Sequence, residues 1–198
     1  MVLGLLVFLL PASARGQEEF DHTKQYSHKG QFGVHAQGGL GFRFIAPYED
    51  DLYCGQEHDG DYKRVCSERS PVTLELGTSF GVSKSLELLL EVRLGLEDDF
   101  GVSPGVDGPS QLQFAPGVKY YIRDAGLTKF FSSLQLLIDT TDFQQADEVD
   151  FGVRNINGLQ FDFHRTTGVY FFFGESIAFK RWFRFEMDAG IGLQIRVP

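Results

Sequence analysis

The chain is short of nearly everything a soluble enzyme or a nucleic-acid binder leans on. It has two cysteines, two methionines, one tryptophan and five histidines in 198 residues. No Cys/His cluster has zinc-like spacing, no HExxH occurs, and no EF-hand loop is present, so no metal ligand set is expected. Basic residues are outnumbered, with 18 Lys and Arg against 27 Asp and Glu and a net charge of −9. No basic cluster offers a footprint for nucleic acid. No apolar run beyond the N-terminus is long enough for a membrane helix. Proline is scarce, at 7 residues.

What is abundant is phenylalanine (20) and glycine (23), and both fall into a period-two pattern. In 31–45, QFGVHAQGGLGFRFI, the even positions are apolar or glycine and the odd ones up to Arg43 are polar, charged or glycine. The alternation returns at 71–82, 86–96, 111–122, 129–140, 151–163, 168–179 and 183–197, which predicts eight strands. Pro116 lies within the fourth and implies a bulge or a local break. The connections alternate long and short, except a short last one near Lys180-Arg181-Trp182.

Alternation alone does not say which face is inside, and a soluble lipocalin-like barrel shows it too. Strand length favours a membrane, because globular strands average about five or six residues while these run to eleven or more. Glycine on the polar face (Gly33, Gly39, Gly41, Gly77, Gly81, Gly95, Gly117, Gly190 and Gly192) suits a crowded interior. Aromatic residues near strand ends, Tyr120, Tyr121, Phe130, Phe131 and Trp182 among them, suit the bilayer interface. The expectation is an all-β, eight-stranded antiparallel up-and-down transmembrane β-barrel over residues 31–198. Its negative mean hydropathy of −0.14 is compatible, since only alternate residues meet lipid.

Residues 1–16 read as a secretory signal, with an apolar run over Val2–Leu10 and Ala12-Ser13-Ala14 as a cleavage site, although no Lys or Arg precedes the run. Residues 17–30 read as a polar linker. In an exported chain Cys54 and Cys66 are expected to form a disulfide, worth about 3 kcal/mol by the chain-entropy argument. It would lie in a long acidic loop, 47–70. Other acids gather at 97–99 and 147–150, where they solubilise loops or bridge divalent cations to anionic lipid.

The polar face would line the lumen with Arg43, Glu75, Glu87, Glu91, Arg93, Lys119, Arg154, Asp162, Lys180, Arg184, Glu186, Asp188 and Arg196. Eight strands leave room for little more than side chains. Opposite charges there should pair, giving an ion-pair network that plugs the lumen.

With these features the chain resembles the small eight-stranded outer-membrane barrels of the OmpA/OmpX/OmpW type. The resemblance covers about residues 30–198 and rests on architecture, without a signature motif. It implies the outer membrane of a Gram-negative cell envelope, surrounding lipid and lipopolysaccharide, and the barrel-assembly machinery as a biogenesis partner. The chain departs from such barrels in ending Arg196-Val197-Pro198 where they carry a terminal aromatic. A peptidoglycan-tethering role is not expected. Some barrels of this class modify lipid A, which needs a Ser/His/carboxylate set near the outer leaflet. Here His35 lies at the wrong end of its strand and His164 at an inner turn, so no enzyme and no cofactor is expected. The role implied is structural or interactive, through acidic extracellular loops; the alternative is a porin-like, narrow conduit for small or apolar solutes.

Overall fold

A computed structural model describes residues 28–46, 48, 65–97, 111–125, 127–141, 149–164 and 166–197. The expected signal 1–16, most of the linker and Cys54 lie outside these residues. Eight strands run in order: β1 (Phe32–Ala46), β2 (Cys66–Gly81), β3 (Leu86–Gly95), β4 (Leu112–Ala125), β5 (Thr128–Asp139), β6 (Asp150–His164), β7 (Thr167–Ala178) and β8 (Phe183–Val197). Each pairs antiparallel with the next, and β8 pairs with β1 to close the barrel. Closure leaves no unpaired edge, which is what a β-structure needs in lipid. Among the described residues no helix is long and apolar enough to cross a membrane.

The register fixes the tilt. Paired residues lead from Phe32 through Phe80, Leu88, Val118, Leu134, Asn155, Glu175 and Met187 back to β1 at Phe42, ten residues further on. That stagger tilts the strands by about 40° and leaves a narrow interior.

The apolar face points outward. Leu88, Leu90, Ile191, Leu193 and Ile195 are each 49–56% exposed. The alternate residues are buried, and they are the polar ones. This inverts a soluble barrel, in which the apolar face turns inward.

Two prolines lie within strands. Pro71, taken as the start of β2, lies within it: Gly39 pairs Thr73 and Gly41 pairs Ser70, so Pro71 and Val72 oppose Leu40 in a bulge. A bulge is where a strand tolerates proline, and β2 therefore begins at Cys66, five residues earlier than the pattern suggests. Pro116 gives the local break and no bulge: neither it nor Ala115 has a register partner on β5. It pairs Leu90 on one side, and the β4–β5 register is the same at Phe114–Ile138 and Gly117–Gln135. The β4 bulge sits instead between Tyr121 and Arg123.

Residues 28–31, the end of β8 and the connections after β2, β4 and β6 share one end, called inner here. At the first of these turns Ser83 Oγ accepts from the amides of Ser85 and Leu86, at 3.2 and 3.1 Å. At the outer end the short β7–β8 connection is held by Asp150. Its Oδ1 accepts from the amides of Lys180 and Arg181, at 2.9 and 3.1 Å. Asp150 is thus a buried turn cap, and not one of the solvated loop acids the sequence suggested.

Candidate functional site: the barrel lumen

Strand parity delivers the charged residues to the lumen. Arg43, Glu75, Glu87, Glu91, Arg93, Lys119, Arg184, Glu186, Asp188 and Arg196 are all buried there, as are Arg154 and Asp162. Lys180 is not: it is exposed, with Nζ 5.8 Å from the centre of the Phe151 ring. The odd-even rule does not hold across the β7–β8 turn in which it lies.

Near the inner end Arg196 gathers groups from three other strands. Its Nε lies 3.4 Å from Glu87 Oε1, its Nη1 3.4 Å from Asp162 Oδ1, and its Nη2 donates to Tyr121 OH at 2.9 Å. Lys129 Nζ sits 3.0 Å from Asp162 Oδ2 and also donates to His28 Nε2. The His28 ring stacks on Tyr121, with centroids 5.0 Å apart. His28 had been assigned to the linker; it is 1% exposed inside the barrel mouth. Burial, reinforced by the positive charges of Arg196 and Lys129, pushes its imidazole pKa down to about 4.

Midway up, His35 Nε2 lies 2.8 Å from Glu91 Oε1, and Gln135 Nε2 donates to Glu91 Oε2 at 2.7 Å. Tyr121, Phe131, Ile156, Tyr170 and Phe172 form the buried apolar cluster. Lys119 Nζ projects over it, 4.1 Å from the Phe131 centroid and 4.7 Å from that of Tyr170. Tyr121 and Phe131 were expected at the lipid interface with their neighbours Tyr120 and Phe130. Only the neighbours face out, because adjacent strand residues point to opposite faces.

Toward the outer end two arginines cross the barrel. Arg93 on β3 lies 3.2 Å from Glu75 through Nε and 2.6 Å from Glu186 on β8 through Nη2. Arg154 on β6 places Nη1 2.8 Å from Glu75 on β2 and Nη2 against Asp188 on β8. Since β2 and β6 are four strands apart in an eight-stranded ring, the Arg154–Glu75 pair spans the diameter. Above them Arg184 Nη1 meets Asp139 Oδ2 at 2.7 Å. Arg43 is buried and register-paired with Glu186.

Among the described residues the buried charges balance. Eight carboxylates (Glu75, Glu87, Glu91, Asp139, Asp150, Asp162, Glu186 and Asp188) accompany eight bases (Arg43, Arg93, Lys119, Lys129, Arg154, Arg181, Arg184 and Arg196). The net charge of −9 therefore belongs to residues outside this set. Lys129, Asp139 and Arg181 were not recognised as lumen residues from the sequence. Lys129 and Asp139 sit at strand ends and Arg181 in a turn, where alternation is too brief to read, although strand parity already placed Lys129 opposite Phe130.

No catalytic constellation appears among the described residues. His35 hydrogen-bonds a carboxylate but no hydroxyl nucleophile, and His164 meets Thr166, through its Oγ1 at 2.8 Å and its amide at 3.3 Å, within its own turn. No group of three or more His, Cys, Asp or Glu there is placed to hold a metal.

No protein-family model matches the sequence, and no curated protein matches it. Solved structures do match in shape. Neisserial surface protein A is 11% identical with a TM-score of 0.55, over 84% of this chain and 99% of that one. Ail, the attachment invasion locus protein of Yersinia pestis, is 14% identical with a TM-score of 0.49, over 85% and 99%. The outer membrane protein OprG of Pseudomonas aeruginosa is 12% identical with a TM-score of 0.49, over 87% and 98%. The chain has the fold of the small eight-stranded outer-membrane barrels. With an apolar wall facing out and charge packed within, it is a membrane-spanning barrel.

Proposed function

We propose that this outer-membrane barrel is sealed and acts through its outer loops, in a structural or interaction role, and does not conduct solutes. The observation that carries the reading is the Arg154–Glu75 pair across the lumen diameter, at 2.8 Å. A passing ion or solute would have to part it, and uncoupling a buried pair costs about 3–5 kcal/mol. Arg93 crosses at the same level, sharing Glu75 and Asp188 with Arg154, and the Arg196 network adds a second obstruction nearer the inner end.

With the lumen occupied by its own side chains, the recognition surface falls to the outer loops, 47–65, 96–111 and 140–149. They carry the acidic groups 49–51, 57–61, 97–99 and 147–148. A disulfide between Cys54 and Cys66 would brace the longest loop where it meets β2. Carboxylates there suit divalent cations shared with lipopolysaccharide phosphates, or a cationic face of an envelope or external partner. Insertion would use the barrel-assembly machinery, as for other barrels.

Deleting residues 48–64 tests the reading. The expected result is a barrel that still unfolds only on heating in detergent but loses surface binding or envelope integrity. An intact phenotype after deletion contradicts an outer-loop role.

A further inference from the structure

The inner mouth is closed by chain that precedes the first strand. Residues 28–31 form a reverse turn. The Gln31 amide donates to the His28 carbonyl at 3.0 Å, and Gly30, third in the turn, has the positive φ, 78°, that a type II turn requires. The turn is tied to the end of β2. The Gly30 amide donates to the Gly81 carbonyl at 2.7 Å, and the Gly81 amide donates to the Gln31 carbonyl at 2.9 Å. Gly81 is buried and faces inward, and the His28 carbonyl lies where a side chain at Gly81 would be. Glycine there lets the turn lie directly on the strand.

The turn carries His28 into the lumen, where groups from five strands face its ring. They are Glu87 on β3, Tyr121 on β4, Lys129 on β5, Asp162 on β6 and Arg196 on β8. Lys129 Nζ donates to His28 Nε2, which leaves the imidazole proton on Nδ1, 3.7 Å from Glu87 Oε1. A second proton would have to enter at Nε2. It would break the bond from Lys129 and set two cationic donors against each other, with Arg196 close by. Asp162 Oδ2 is 3.9 Å from Nε2 but is already engaged by Lys129 at 3.0 Å. The closed turn therefore takes only the neutral imidazole, in keeping with its pKa of about 4, whereas a solvated imidazole gains its proton near 6.5.

We propose that residues 28–31 are an acid-released latch on the inner mouth, hinged at the start of β1. Neutral His28 holds the turn in the mouth. Protonated His28 leaves for water and takes the turn with it, breaking both ties to Gly81 while the closed strand ladder stays intact. The released mouth exposes Glu87, Lys129, Asp162 and Arg196 to the inner side. The Arg154–Glu75 crossing lies further out and is not part of the latch, so the latch stands or falls separately from the sealed lumen. Linkage sets the size of the response. The open turn gains its proton at about pH 6.5 and the closed one at about pH 4, so opening should rise about a hundredfold from pH 7 to pH 4.

The test is amide hydrogen exchange, read by NMR on the full mature chain in phosphatidylcholine nanodiscs and corrected for the intrinsic pH dependence of exchange. Gly30 reports the latch, and Leu134, within β5, reports the wall. From pH 7 to pH 4 the opening of Gly30 is expected to rise about a hundredfold while Leu134 stays protected. His28→Gln is expected to flatten the Gly30 response. Gly81→Ala touches no ionisable group, yet its methyl meets the His28 carbonyl, so Gly30 is expected to be unprotected already at pH 7. A Gly30 opening that does not change with pH, one that rises in step with Leu134, or a rise that survives His28→Gln overturns the proposal. So does a Gly81→Ala chain with Gly30 protected as in wild type. Should a variant fail to fold, the ring resonances of His28 in the unaltered chain decide. They must shift over the same pH range in which Gly30 opens, and a shift over another range overturns the latch.

Discussion

The Tyr170 ring on β7 occupies the space that a side chain would take at Gly192, its register partner on β8. Phe172 covers Gly190 and Phe131 covers Gly158 in the same way, each ring lying on the glycine paired with it across the ladder. This accounts for Gly158, Gly190 and Gly192. They make room for the inward aromatic cluster on which the Lys119 ammonium rests.

The two glycines of β8 should respond differently to alanine. A Cβ at Gly192 meets the far end of the Tyr170 side chain, whereas one at Gly190 also meets the backbone carbonyl of Gly38, which cannot rotate away. Gly192→Ala is expected to cost about 1 kcal/mol and Gly190→Ala about 3 kcal/mol, the range for overpacking. Urea unfolding in vesicles measures both.

Arg184 and Asp139 should behave as a unit. Arg184→Met leaves a buried carboxylate without its cation and is expected to cost about 3–5 kcal/mol. Adding Asp139→Leu removes the stranded charge and should recover most of that loss. A double-mutant cycle in the same unfolding assay reads the coupling.

His28 should make the inner mouth sensitive to acid. Its folded pKa of about 4 is below the ordinary 6.5, so between those values the unfolded chain takes up a proton that the folded one does not. Stability from this group is complete above pH 6.5 and falls as pH drops toward 4, by about 3 kcal/mol in total. Glu87, Asp162, Lys129, Arg196 and Tyr121 face the same ring, so the comparison must be with His28→Gln in parallel. The substituted chain is expected to lose less stability between pH 7 and pH 4 than wild type.

Glu97 and Arg69 provide a contrast at the outer rim. Arg69 donates to Glu97 Oε2 at 2.6 Å, and this contact, aided by the Val72 amide, lowers the Glu97 pKa. Both side chains are substantially solvated, and exposed pairs contribute little. Glu97→Gln is expected to leave the unfolding midpoint unchanged.

The strands were legible because a wall with lipid on one side and packed charge on the other imposes strict alternation. Their inward charges followed from parity alone. What alternation could not supply was the behaviour of residues outside it. His28 precedes β1 yet enters the lumen, since the turn at Gly30, with φ of 78°, folds the chain back and the Gly30 amide donates to the Gly81 carbonyl at 2.7 Å. Pro71 looked like a boundary because its bulge partner, Leu40, is not adjacent in sequence. Tyr121 and Phe131 were grouped with their neighbours by residue type, although parity already set them inside. Only the register shows that Glu175 on β7 lies beside Asn155 on β6.

The most direct test of the sealed lumen is single-channel recording with the wild-type chain in planar lipid bilayers at neutral pH. The account predicts insertion, verified by the heat-dependent gel shift, without steady conductance, and leakage when Glu75→Ala and Arg154→Ala are combined. A stable ohmic conductance from the unaltered barrel would contradict it.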